Sequence, residues 1–370
     1  MEKLRLVDSH CHLHGGYEGL DAFFAATNAL MDGAGLEKVN VAMAPQWDDE
    51  YITQNPLGIL YKALFPAKVY AYAGLDCYLP GGEEPKPPLE QLMEAMAMGF
   101  DGLKMVELKP TVQRRLGHVQ IGSPKYEALF SHMEARGIPL LLHVGDPETF
   151  WTRENCPAFA LQKGWCYENG DYASKEALYR DAESVLERHP GLHASLAHFY
   201  FLSDDPERAA AVLDKYPNVC FDLTPGTEMY GNFAKLPGVW HDFFEAYANR
   251  IMLGTDNGGL SADGFTPMQE KIAYARDNVA NIVRFLSTRD SFEGYGMRLQ
   301  GIGVSEAAQR KILSANFEAL AGKAPRPVNV ERALRYTDRL LKTYRGADMP
   351  RIGLSLPLLE EIRRRLANLL

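Results

Sequence analysis

Cysteine is scarce in this 370-residue chain and never falls in a Cys-x-x-Cys pair. Cys11, Cys77, Cys156, Cys166 and Cys220 are odd in number and dispersed, which argues against a disulfide framework and a thiolate zinc site. They read as reduced, mostly buried thiols. Cys156 and Cys166 flank one loop, and nothing in the sequence promotes a bond between them. Long apolar runs are also missing: none approaches the roughly 18 residues that span a bilayer. The opening MEKLRLVDSH lacks the basic head and extended apolar core of a secretory signal. A membrane is therefore not an expected partner, and the expected location is cytoplasmic. Runs of lysine and arginine that could follow a phosphate backbone are absent, and the formal net charge of −9 argues against nucleic acid as a partner.

What is present is the composition of an ordinary globular protein, 46% hydrophobic and 24% charged, long enough to bury a large core. Short runs rich in valine, leucine, isoleucine and aromatic residues predict eight strands, at 4–12, 38–45, 68–76, 100–107, 139–145, 193–200, 219–225 and 250–256. Apolar residues three and four apart predict helices over 17–35, 49–65, 88–98, 123–136, 173–189, 205–216, 238–249 and 267–287, and another in SEAAQRKILSANFEALAG. Ser123 and Pro124 open one of these helices and Gly137 closes it; Asp205 and Pro206 open another.

Strict alternation of strand and helix calls for a parallel sheet, and eight such units have the size of a closed (β/α)8 TIM barrel, an α/β fold. A doubly wound open sheet is the alternative. Against it, DSHCHLHGG puts histidines and an acid where a phosphate-binding turn needs backbone amides. The barrel domain takes residues 1–322. Residues 323–370, with helices predicted at 328–344 and 356–369, form a C-terminal helical extension that packs on the barrel or in a subunit contact, as in a homodimer.

In such a barrel the chemistry gathers at the C-terminal ends of the strands. Strand one ends in Asp8, His10 and His12; strand four carries Lys104 and Glu107; strands five to eight end in His143, His198, Asp222 and Asp256. Alternation along strand one turns His10 and His12 to one face and Cys11 to the other, so two imidazoles can face a common centre. With His143 as a third nitrogen and Asp256 as an oxygen, the set suits zinc or a similar divalent ion and leaves a position for water. A lone His-x-His is a weak signal, and any one of these residues could simply cap a strand or bond nearby amides. Convergence on one rim is what favours the metal. His14 lies in a loop past strand one and drops out of the set. His118, His132, His189, His193 and His241 fall on loops, helices or a strand start, where a structural role is expected.

The connection over 144–172 is far longer than a usual strand-to-helix loop and carries Trp151, Arg153, Trp165 and Tyr167. It reads as a lid over a small substrate, carboxylated or aromatic, with an oligomer contact as the alternative.

The motifs VDSHCHLH, GFDGLKM, LLLHVGDP, ASLAHFYF, RIMLGTDNG and RKILSANFEALAG, in this order, resemble the amidohydrolase superfamily. Within it the chain is most similar to the amidohydrolase 2 branch, which includes lactonases, small hydrolases and non-oxidative decarboxylases. The resemblance implies that His10, His12, His143 and Asp256 are metal ligands and that His198 lies close to the activated water or the substrate. It also implies that Asp256 accepts a proton from that water. Lys104 stands where some members carry a carbamate bridging two metals. The preferred expectation is one ion, Zn2+, with Lys104 paired to Asp8 or Glu107 or holding a substrate carboxylate. Glu107 reaches the site only if strand four ends before it.

Three functions stand open. The leading one is a metal-dependent hydrolase activating water for attack on an amide, ester or lactone carbonyl. The second is a metal-dependent non-oxidative decarboxylase of an aromatic or enoic acid. The third is a non-catalytic ligand-binding barrel whose metal shell is closed.

Overall fold

The computed structural model describes every residue except 1–3, 14, 17–18, 45–51, 78, 81–82, 227, 258–267 and 349–351. His14 thus lies outside the described residues. Eight parallel strands lie in sequence order in one sheet: β1 (Val7–Cys11), β2 (Lys38–Ala42), β3 (Val69–Ala73), β4 (Gly102–Leu108), β5 (Leu140–Val144), β6 (Ala194–Leu196), β7 (Val219–Asp222) and β8 (Ile251–Met252). Backbone bonds from Ser9 N to Leu253 O at 2.8 Å and from Asp256 N to His10 O at 2.9 Å tie the first strand to the last and its continuation. The ring closes as the TIM barrel that the alternation of elements called for, with additional helices at the C-terminal end.

Alternation along each strand divides its side chains between two cores. Val39, Val41, Leu103, Met105, Leu140 and Leu142 join the large core that includes the surrounding helices, whereas Tyr70, Tyr72, Leu141 and Met252 pack in a separate cluster with Phe317. Phe317 sits on the helix Asn316–Ala321, and its ring meets Tyr70 edge-on at 5.1 Å. The helix expected in SEAAQRKILSANFEALAG is interrupted by a π turn over Lys311–Ala315, and Ile312 O accepts from Leu253 N of the barrel at 2.8 Å.

The helix Pro124–Arg136 follows the extended Ser123 and stops at Gly137, whose φ of 61° is left-handed. Asp205 caps its helix, accepting from Arg208 N at 2.9 Å. The sequence reading missed a hairpin, β9 (Ser291–Gly294) and β10 (Met297–Gln300), whose tight turn places Tyr295 and Gly296 at φ 54° and 72°. The helices Val330–Tyr344 and Ile352–Ala367 pack on each other and on the helix Gln54–Leu64. Below them the fully buried Lys62 pairs with Asp101 at 2.5 Å, and Asp101 also accepts from Arg326 N at 2.8 Å, anchoring the start of this extension to the barrel.

β6 is shorter than its apolar run suggested. After Leu196 the chain enters a left-handed turn, with φ of 57°, 55°, 56° and 50° at His198, Phe199, Tyr200 and Phe201. For residues with a Cβ this costs on the order of 1–2 kcal/mol each. The surroundings hold it: Asp222 accepts from His198 N at 2.8 Å, Tyr179 donates to Tyr200 O at 2.8 Å, and Lys175 donates to Phe201 O at 3.3 Å. Phe199 fills a pocket of aromatic rings that includes Phe221, Phe233, Trp240 and Phe244.

Candidate metal centre and substrate cleft

At the end of β1 the Asp8 carboxylate accepts from His10 N at 3.0 Å, Thr255 N at 3.1 Å and Thr255 Oγ1 at 2.5 Å. Burial pushes Asp8 up to about 7. Its bonds dock β1 on the segment after β8, so Asp8 supports the site without facing the cleft. Cys11 points the other way and donates to Asn40 O at 3.3 Å.

His10 and His12 are each fixed from behind. His10 Nδ1 lies 2.9 Å from Asp222 Oδ2, and His12 Nδ1 lies 2.7 Å from Ala42 O. Both nitrogens face acceptors and therefore carry the proton, which leaves each Nε2 as a lone pair. These two Nε2 atoms face each other at 3.2 Å, and Asp256 Oδ1 lies 3.1 Å from His12 Nε2 and 3.9 Å from His10 Nε2. Ligand atoms of His10, His12 and Asp256 all lie within 4.8 Å of one another. Two imidazole lone pairs and a carboxylate at this spacing are mutually repulsive unless a cation or a proton sits among them, so the donor set fits a divalent ion.

Burial, with Lys104 and His12 nearby, holds His10 well below the usual imidazole range, which keeps it neutral as a ligand must be. The contact with His12, followed by the nearness of His198 and His10, holds the Asp256 carboxyl well below its ordinary value, the ionised form in which a carboxylate binds a cation. Asp256 itself has φ 52°, a left-handed conformation that aspartate tolerates better than most residues. Gly254 makes room for the arrangement: a Cβ there would collide with Thr224 Oγ1 and come within 3.2 Å of His10 Cβ and 3.3 Å of Asp222 Cβ.

His143 and His198 adjoin this cluster, their rings 4.9 Å apart and edge-on. His143 Nε2 donates to Gly145 O at 2.9 Å, so Nδ1 is its lone-pair nitrogen. The tight three-residue cluster does not include His143. His198 is buried, and its Nδ1 has no hydrogen-bond partner. Burial, with His143 nearby, pushes His198 down to about 3. Lys104 Nζ lies 3.1 Å from His10 Nε2, and burial pushes it down to about 8. The pairing of Lys104 with Asp8 or Glu107 expected from the sequence is not formed. Asp8 is turned to Thr255, and β4 continues to Leu108, which puts Glu107 on the face opposite Lys104 and outside the cleft. Both Glu107 carboxylate oxygens are buried without a partner, and burial pushes the group up to about 7.

The cleft above the cluster encloses about 510 Å3 and is lined by His10, His12, Lys104, His143, His198 and Asp256 together with Val106, Lys109, Thr111, Arg115, Lys163 and Trp165. Of the residues expected from the long loop, Trp165 lines it and Trp151 and Arg153 do not. The loop has its own small core of Phe150, Cys156, Ala160 and Tyr167. Trp151 packs against this core and donates to Ala173 O at 3.1 Å, and Arg153 is exposed. Tyr167 donates to Asp146 at 2.5 Å, and Asp146 also pairs with Lys109 at 2.8 Å. Sequence reasoning missed Lys109, Arg115 and Lys163, and it left Asp222 without a role. The Lys-Pro start of the short helix Pro110–Arg115 was the available signal for the first two.

A profile of the family described as amidohydrolase matches residues 7–320. The chain belongs to the amidohydrolase family. It is an enzyme of this metal-dependent type, and both hydrolysis and non-oxidative decarboxylation fit the family. Among solved structures, an amidohydrolase from Staphylococcus aureus aligns at a TM-score of 0.52 and 15% identity, over 86% of this chain and 100% of its own. A 5-carboxyvanillate decarboxylase from Sphingomonas paucimobilis aligns at 0.50 and 12% identity, over 86% and 99%. At these identities the likeness is one of fold. No curated protein matches this chain.

Proposed function

We propose that this amidohydrolase is a hydrolase in which His10, His12, His143 and Asp256 hold one divalent ion, zinc. The observation that carries the reading is the pair of His10 and His12 Nε2 atoms facing each other at 3.2 Å with Asp256 Oδ1 beside them. A bound ion of this kind supplies Lewis acidity and lowers the pKa of water toward about 7.

The chain's own groups supply the rest. Asp256, held ionised, accepts the proton of the attacking water. His198 Nδ1, buried and unpartnered, bonds that water or the substrate. Asp222 fixes the His10 tautomer, and Lys104 Nζ meets negative charge that develops on the attacked carbonyl or a substrate carboxylate. The substrate is a small molecule with an amide, ester or lactone bond. The cationic cleft lining supports a carboxylated one and equally supports the second reading, a non-oxidative decarboxylase of an aromatic or enoic acid. In that reaction the carbon to carboxylate bond breaks and a protonated side chain returns a proton to carbon. The same proposal takes residues 1–322 as the barrel unit and 323–370 as its extension, with a homodimer in the cytoplasm and no nucleic acid partner.

Metal analysis of protein purified without chelator tests the centre. About one equivalent is expected, lost in the His10→Ala/His12→Ala double variant; well under one equivalent, unchanged in that variant, overturns it. A panel of lactones, amides and hydroxybenzoates, read for carbon dioxide release against hydrolysis, separates the two reactions.

A further inference from the structure

The turn after β8 carries Asp256, and several of the bonds that hold it come from β1. Thr255 N and Asp256 N both donate to His10 O, at 3.1 and 2.9 Å, and His12 N donates to Asn257 O at 3.0 Å. A left-handed residue such as Asp256 persists only where its surroundings over-determine it, so bonds from other elements count too. The helix Met268–Ser287 supplies them through Asn278, whose side chain is buried. Asn278 Nδ2 donates to Thr255 O at 2.8 Å and to Asn257 Oδ1 at 3.0 Å, one bond on each side of Asp256. Asn278 Oδ1 accepts from the Tyr295 hydroxyl at 2.7 Å. The amide is not free to turn over, because its oxygen would then face Thr255 O, acceptor against acceptor. Tyr295 stands at φ 54° in the turn between β9 and β10, its ring 5.1 Å from that of Tyr230, and Tyr230 donates to Leu223 O just past β7. The hairpin thus reaches the strand ends through one hydroxyl.

The geometry points to Asn278 as a positioning residue for Asp256, with Tyr295 setting the direction of the Asn278 amide. The inference rests on the reading of His10, His12 and Asp256 as a metal centre, and it adds the outer bonds that keep the carboxylate among the imidazoles. Thr255 O and Asp256 N belong to one peptide unit. Its oxygen is bonded by Asn278 and its NH by His10 O, so the plane that sets φ of Asp256 is clamped at both ends. Without the amide the oxygen end is released, and Asp256 can relax from its left-handed form and carry Oδ1 away from His12 Nε2, now 3.1 Å distant. A ligand set registers such a shift in its affinity, because the outer bonds decide how well its members are placed before the ion arrives. The Tyr295 hydroxyl, by donating to Oδ1, polarises the amide and strengthens both of its NH bonds.

Titration of the metal-free protein with Co2+, read by calorimetry and by the visible absorption of the bound ion, tests this, with hydrogen exchange followed on the same metal-free samples. Asn278→Ala is expected to weaken cobalt binding about tenfold and to change the absorption of the bound ion. Asn278→Leu refills the space without the amide and is expected to match it, whereas a role confined to packing would return wild-type affinity there. Tyr295→Phe keeps the ring and is expected to weaken binding about threefold. Exchange at the amides of residues 255–257 is expected to rise in Asn278→Ala while those of β5 stay as in the wild type. Wild-type affinity and absorption in both Asn278 variants overturn the positioning and leave the metal centre standing. Should the Asn278 variants fail to fold, Tyr295→Phe decides, weaker binding with altered absorption supporting the positioning and wild-type binding overturning it. Wild-type protein that takes up no cobalt overturns the metal centre. Exchange then judges the positioning alone: a rise confined to residues 255–257 supports it, and no rise, or an equal rise in β5, overturns it.

Discussion

The floor of the cleft and its wall are held by different forces. At the floor, buried bonds fix the side chains: His10 to Asp222, His12 to Ala42 O, Asp8 to Thr255. At the wall, Lys163 follows a short loop helix, held by an aromatic ring and open to solvent. A buried polar bond is expensive to break, because the abandoned partner has no water to turn to. An exposed charge adds little to stability, yet it decides which ligands approach and fit. The contrast separates two tasks. Changes at the floor should strike chemistry and folding together, and changes at the wall should alter selection and spare the fold.

The most severe break should come from Asp222→Asn, which keeps one oxygen to accept from His198 N but puts an NH2 group in place of the oxygen that orients His10. Metal affinity is expected to fall about 10–100-fold, as for other residues that orient a ligand, with a comparable loss in kcat/KM. Metal titration and steady-state kinetics check it, and a variant with wild-type metal affinity would remove the floor's special standing. Next comes Phe199→Ala, which empties an aromatic pocket and frees the strained turn carrying His198. A loss of about 3–5 kcal/mol in urea unfolding is expected, accompanied by lost activity.

Thr255→Val leaves Asp8 without its hydroxyl donor and should cost about 1–3 kcal/mol, read by the same unfolding experiment. Glu107→Gln sharpens the comparison through pH. Burial raises Glu107 from its ordinary 4.5 to about 7, so the folded protein favours the protonated acid. That contribution is fully present below about 4.5 and is lost as pH rises through about 7. The variant, which cannot ionise, should therefore gain on the wild type across this window; a stability difference that does not change with pH would show that Glu107 is not the titrating group. The smallest effect belongs to the wall: Lys163→Ala should shift stability by no more than about 0.5 kcal/mol, measured by thermal unfolding.

The barrel was legible because period-two alternation and regular strand–helix spacing are local properties of the chain. The same parity put His10 and His12 on one face, and the structure groups them with Asp256. The left-handed turn at His198 was not legible. The segment AHFYF contains no glycine or asparagine, and its conformation is imposed from outside by Asp222, Tyr179 and the rings around Phe199. The helix Pro110–Arg115 is too short to show a period, which hid Lys109 and Arg115. In the long loop, composition named the aromatic and charged residues without telling which of them turn inward. The loop's private core of Phe150, Cys156 and Tyr167 settles on its own contacts, leaving Arg153 exposed and Trp165 at the cleft.

Asp222 has a consequence for how this site can change over time. Its one carboxylate accepts from His10 Nδ1 at 2.9 Å, His198 N at 2.8 Å and Thr224 N at 3.2 Å. The tilt of a proposed metal ligand on β1 and the entry to the turn after β6 are therefore not independent traits. A substitution that shifted either would have to be answered at Asp222, and an answer suited to one would disturb the other. Variation should accordingly run freely through the loops above, while these three strand ends drift together or not at all.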